Sequence, residues 1–126
     1  EYLNDETFAA ILTEAEKYLG YPYVWGGSSP ATSFDCSGYV SWVVNHSGWN
    51  VGRLGAQGLY NICTPTSDPH PGDLVFFVGT YDTTGVSHVG IYVGDGWMLH
   101  CGDPISYTNL NNSYWQAHFY AYGRLP

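Results

Sequence analysis

Five consecutive apolar residues, Leu74-Val75-Phe76-Phe77-Val78, constrain this chain most. A strand that is apolar on both faces belongs in the middle of a sheet, covered above and below. Pro71-Gly72 marks a turn just before it. Further strand patterns follow at residues 88–93, 97–101, 105–108 and 119–125. The preceding residues read differently. Phe8, Ile11, Leu12, Ala15, Tyr18 and Leu19 recur at helical spacing after Asp5, a candidate cap, and Gly20 is a stop. This predicts a helix over 5–19. A second helix is expected over 35–45, with Ser33 or Asp35 as its cap, and a short third over 55–62. Residues 20–34, rich in Gly, Pro, Ser and Thr, read as a loop. Helices first and an antiparallel meander after them define an α+β domain. Its N-terminal helices pack on one side of a sheet of about five to six strands.

A chain of 126 residues has the size of one domain. The expectation is a single domain over 1–126, mature or excised from a longer precursor, because the chain starts at Glu1 without Met or signal peptide. Three Lys+Arg against eleven Asp+Glu leave a net charge of −8. That balance offers no footprint for nucleic acid or anionic lipid. No apolar run approaches the ~20 residues of a membrane span, so no membrane insertion is expected. With 11% charged and 17% aromatic residues, the chain is not disordered and suits an enzyme with an aromatic-walled groove or a β-rich binding module.

The segment Val93-Gly94-Asp95-Gly96-Trp97 reads as a hairpin. A three-residue loop, Gly94-Asp95-Gly96, puts Val89, Ile91, Val93, Trp97 and Leu99 on one face. His88, Gly90, Tyr92, Met98 and His100 then share the other. In that register His88 and His100 are diagonal neighbours, roughly 7–8 Å apart at the backbone, and their rings can meet.

Cys36 sits in the first turn of the second helix, where the dipole and unpaired N–H groups favour an anion. Beside an imidazolium its pKa is expected to fall below ~5. His88 can serve as base and His100 can orient it, the pattern of cysteine acyl transfer. Cys63 and Cys101 read as inert packing residues, and an odd cysteine count leaves at least one thiol free or bonded outside the chain. His88, His100, Cys101 and Asp103 are zinc-capable types. Positions 100 and 101 face opposite sides of a strand, however, and no CxxC or HExxH spacing occurs, so no metal and no cofactor are expected.

Three blocks resemble the NlpC/P60 cysteine peptidases. The first is Gly20-Tyr21-Pro22-Tyr23-Val24-Trp25-Gly26-Gly27 with Phe34-Asp35-Cys36-Ser37-Gly38-Tyr39-Val40. The second is Pro71 to Phe77. The third is Ser87 to Gly96 followed by His100. The resemblance implies a papain-like fold and cleavage of peptidoglycan stem peptides, typically between γ-linked D-glutamate and a diamino acid. It implies Cys36 as nucleophile, His88 as base and His100 as the third polar residue. It also implies Tyr23, Asp35, Ser37 and Ser87 as substrate-contacting residues, with Tyr23 aiding the oxyanion hole and Asp35 able to meet a free substrate amine. Arg53 and Gln57 fit the family's middle block, while Cys101 replaces a usual small residue. The expected partner is the peptidoglycan stem, met outside the cell or at the wall. A monomer is expected, with a wall-binding or lytic domain elsewhere in the full-length protein. The alternatives are a wall amidase of the related CHAP type and a non-catalytic wall-binding module.

Overall fold

The structure, a computed structural model, describes residues 5–126; the start at Glu1 and the Asp5 cap side chain lie outside what is described. Helix α1 spans Asp5–Glu16, and the chain reaches Gly20, at φ 89°, through a looser turn over 17–19. The segment expected to be loop contains a small hairpin, β1 (Ser28–Ser29) against β2 (Ser33–Phe34). Helix α2 (Cys36–Asn45) and helix α3 (Ala56–Ile62) follow. The strands are β3 (Thr64–Thr66), β4 (Leu74–Val78), β5 (Val86–Gly94), β6 (Trp97–Cys101) and β7 (Ile105–Asn109). Helix α4 (Ser113–His118) and strand β8 (Phe119–Arg124) complete the chain.

The six-stranded sheet is antiparallel in the order β3-β8-β4-β5-β6-β7, so β4 lies inside it, as its two apolar faces require. On one face, Leu74, Phe76, Val89, Ile91, Leu99 and Ile105 form the main core with Ile11, Phe34, Tyr39, Val40 and Val43 from the helical half. The Tyr39 hydroxyl donates to the Ala15 carbonyl at 2.6 Å and ties α2 to α1. The other face carries Val75, Phe77 and Met98, covered by Leu110, Trp115 and Tyr122.

Three features depart from expectation. Strand β3 is a Thr-Pro-Thr edge strand, tolerated because an edge proline loses no ladder bond. Helix α4 lies against the face away from α1 and α2, so the helices are not confined to one side. The hairpin turn is the two-residue Asp95-Gly96, both at positive φ (53° and 81°), with Gly94 opposite Trp97. A bulge between Tyr92 and Gly94 absorbs the extra residue and restores Tyr92 opposite Met98 and Ile91 opposite Leu99. The expected loop is corrected, yet the face sorting it was chosen to satisfy is retained.

Candidate active site

Of the two candidate caps, Asp35 is the N-cap of α2; its carboxylate accepts from the Gly38 N–H at 2.7 Å. The Ser33 hydroxyl donates instead to the Pro22 carbonyl. The Asp35 carboxylate also accepts from the Gly26 N–H at 3.0 Å, which fixes the glycine loop against the helix start. Arg53 Nη2 reaches both Asp35 oxygens, at 2.9 and 3.0 Å, while Nη1 donates to the Ser37 hydroxyl at 2.9 Å. Asp35 and Ser37 are thus buried and engaged within the protein, with the charge of Asp35 already met by Arg53.

This cap leaves Cys36 as the first residue of α2, 8% exposed. Its Sγ lies 3.9 Å from the Ser87 carbonyl, at the start of β5. That start is pinned from two sides. The Gln57 side-chain carbonyl accepts from the Val86 N–H at 2.8 Å. The Ser87 hydroxyl accepts from the Thr80 N–H at 3.0 Å and pairs with the Thr80 hydroxyl at 2.6 Å. Ser87 therefore offers its carbonyl toward the thiol and uses its hydroxyl to hold the loop before β5.

His88 Nε2 meets His100 Nδ1 at 2.9 Å, and His100 Nε2 meets the Thr108 hydroxyl at 2.8 Å. The diagonal register expected from the sequence brings the rings together, with Gly90 between them. A Cβ at Gly90 would stand 3.1 Å from His100 Cβ and 2.8 Å from Met98 Sδ. The chain of contacts uses both nitrogens of His100 and leaves His88 with Nδ1. If His88 Nε2–H donates to His100, then His100 Nε2–H donates to Thr108 and His88 Nδ1 is an open base. Trp115 packs on both rings, each centroid 5.2 Å away.

Thr108 and Trp115 were not among the sequence candidates. Thr108 follows the rule that paired the histidines. His100 opposes Ser106, which puts Thr108 two residues on along the same face of β7. Trp115 depends on α4, whose start is signalled by Asn112; its side chain accepts from the Tyr114 and Trp115 N–H groups at 2.9 and 3.3 Å.

Burial and charge around the thiol work against the expected thiolate. Burial pushes the Cys36 thiol up, and the Asp35 carboxylate beside it adds to the rise; the Val89 and Ser37 backbone N–H groups and Arg53 offset only part. Burial pulls His88 down to about 3, with His100 adding to the fall, and pulls His100 down to about 4. Desolvation thus favours the neutral thiol and the neutral imidazole in the free site, against the pull of the helix N-terminus. Burial also raises the Tyr23 hydroxyl to about 12, so it stays a donor at neutral pH.

Tyr23, Trp25, Cys36, Ser87, His88 and Asp103 line one groove of about 340 Å³, with Thr80, Tyr81 and Trp115 among its walls. Asp35, Ser37 and His100 stand behind this surface. Cys101 packs into the main core with its thiol at the Phe34 carbonyl, and Cys63 ends α3; neither forms a disulfide.

The NlpC/P60 family model matches residues 20–124, and the chain belongs to that family. It is 43% identical over 121 residues to the bifunctional muramidase/DL-endopeptidase CwlT of Bacillus subtilis, covering 94% of this chain and 36% of that protein. It is 44% identical over 117 residues to the probable endopeptidase p60 of Listeria seeligeri, covering 91% of this chain and 22% of that protein. Among solved structures, an NLP/P60-family lipoprotein-like protein from Staphylococcus aureus superposes with a TM-score of 0.93 at 43% identity. That match covers 99% of this chain and 43% of the other. The chain thus spans about a third or less of the two relatives named. No helix among the described residues is long and apolar enough to cross a membrane.

Proposed function

We propose that this chain is a cysteine endopeptidase domain acting on peptidoglycan stem peptides, at the bond between γ-linked D-glutamate and a diamino acid. One observation carries the reading. A thiol at a helix N-terminus and the open end of an imidazole–imidazole–hydroxyl chain line the same groove. The family membership supplies the substrate class.

In the proposed reaction Cys36 Sγ attacks the γ-carbonyl carbon as its proton passes to His88 Nδ1. Proton transfer accompanies attack, in keeping with burial that favours the neutral form of both groups. Attraction between adjacent thiolate and imidazolium, about 4 kcal/mol at an effective dielectric near 20, offsets part of the desolvation cost. The Cys36 backbone N–H, which has no intrahelical partner at position N1, and the Tyr23 hydroxyl meet the developing oxyanion. His88 gives its proton to the leaving amine, which departs with the diamino acid. A water that loses its proton to His88 then attacks the thioester, and thiol and carboxylic acid are restored. His100 and Thr108 hold the His88 tautomer, and Trp115 keeps water from the pair. Asp35 acts from behind the groove, as cap and as partner of Arg53, rather than on a substrate amine.

The domain would work outside the cell or at the wall, as one module of a larger hydrolase. Digestion of purified sacculi followed by mass spectrometry of the fragments tests the reading. New N-termini at the diamino acid are expected from the wild type and none from Cys36→Ala. Release of stems at their lactyl–L-alanine amide would assign the amidase reaction instead.

A further inference from the structure

The Lys and Arg side chains are all paired away from the groove lining. Lys17 pairs with Glu14, Arg53 with Asp35 and Arg124 with Asp73, and these are its three basic side chains. Among the described residues the groove is lined by one carboxylate, Asp103, which is exposed. One of its oxygens accepts from the Tyr23 N–H at 3.3 Å, and no Lys or Arg contacts it among the described residues. Aromatic side chains line the same groove. Trp25 is 71% exposed and stands edge-on to Tyr81 at 5.5 Å between centroids, and Tyr23 adjoins both Asp103 and Cys36. A carboxylate in one groove with an exposed indole and phenols, and with no Lys or Arg against it among the described residues, is the composition that holds an alkylammonium.

We propose that Asp103, with Trp25 and Tyr23, binds an ammonium group of the stem peptide and thereby selects substrates that present one. The proposal rests on the stem-peptide reading above. Two groups on a stem have this chemistry, the free N-terminal amine and the side-chain amine of the third residue. Asp35 has its charge met by Arg53 and does not line the groove.

The test is binding, read by calorimetry without turnover. The ligands are L-Ala-γ-D-Glu-L-Lys, its Nα-acetyl form, its Nε-acetyl form and the doubly acetylated peptide. Each is titrated into Cys36→Ala and into Cys36→Ala/Asp103→Asn. Asparagine keeps an oxygen for the Tyr23 N–H and removes only the charge. Peptides bearing the recognised amine are expected to lose about tenfold in affinity on Asp103→Asn, and less at high salt. The doubly acetylated peptide is expected to lose nothing. A loss abolished by Nε-acetylation assigns the side chain, and one abolished by Nα-acetylation assigns the N-terminus. Equal losses for every peptide, no losses, or no binding by any peptide would overturn the proposal. Failure of the endopeptidase reading would look different: no hydrolysis by the wild type while the charge-dependent binding persists.

Discussion

Replacing Gly38 by alanine sets two effects against each other. Helix propensity favours alanine by about 1 kcal/mol in a helix interior. Packing opposes it. A Cβ at Gly38 would stand 2.0 Å from the Gly27 carbonyl oxygen, 3.1 Å from its carbon and 2.9 Å from Asp35 Oδ1. The first two are backbone atoms, and the same Gly27 oxygen accepts the Asp35 N–H at 3.0 Å. Relief therefore moves the glycine loop, the cap or the start of α2, and Cys36 moves with any of them. Overpacking of this kind costs about 1–3 kcal/mol. With the propensity gain subtracted, Gly38→Ala is expected to be destabilised by up to about 2 kcal/mol. Urea unfolding followed by tryptophan fluorescence measures this as a lower midpoint at unchanged slope. Activity should fall further than stability, because sub-ångström displacement of a nucleophile is costly. A Gly38→Ala protein as active as wild type and more stable would refute the argument, since propensity would then outweigh the close approach.

Other expectations follow from the same contacts. Arg53→Met leaves the buried Asp35 carboxylate without its cation, which should cost about 1–3 kcal/mol in urea unfolding; no change would mean that the backbone donors suffice. Thr108→Val removes the partner of His100 Nε2 and should lower kcat about tenfold with KM little changed, as steady-state kinetics on a stem tripeptide would show. His88 and His100 have folded pKa values below the unfolded value near 6.5, so the unfolded chain binds more protons between about pH 6.5 and 4. Their contribution is fully present above pH 6.5 and is lost as pH falls toward 4, by up to about 1.4 kcal/mol per pH unit for each ring. His88→Gln/His100→Gln should flatten that dependence in thermal melts. Iodoacetamide should label Cys36 faster as pH rises through the alkaline range; an acid plateau would reveal a resting ion pair and contradict the neutral thiol.

Much of this architecture was legible in the sequence where a pattern has a single physical solution. Leu74–Val78 could only be a covered strand, and β4 lies inside the sheet. Sorting β5 and β6 by face brought His88 onto His100 although the turn was drawn with the wrong length, because the bulge conserves the faces. What escaped depends on contacts distant in sequence. The partnership of Arg53 with Asp35 and Ser37 spans a loop, and the Gln57–Val86 bond joins α3 to β5. The upward push on the Cys36 thiol escaped for the same reason. A helix N-terminus is visible in the sequence, whereas burial and the proximity of a carboxylate are properties of the packed site.

The central claim is that Cys36 attacks the γ-D-glutamyl carbonyl with His88 as its base. Acid-quenched mixing with a stem tripeptide, followed by intact-protein and peptide mass spectrometry, tests it directly. The expected result is a transient mass gain equal to the L-alanyl-γ-D-glutamyl acyl group, mapped to Cys36 and matched by release of the diamino acid. Stem cleavage that persists in Cys36→Ala, or an acyl group mapped to Cys63 or Cys101, would contradict the account.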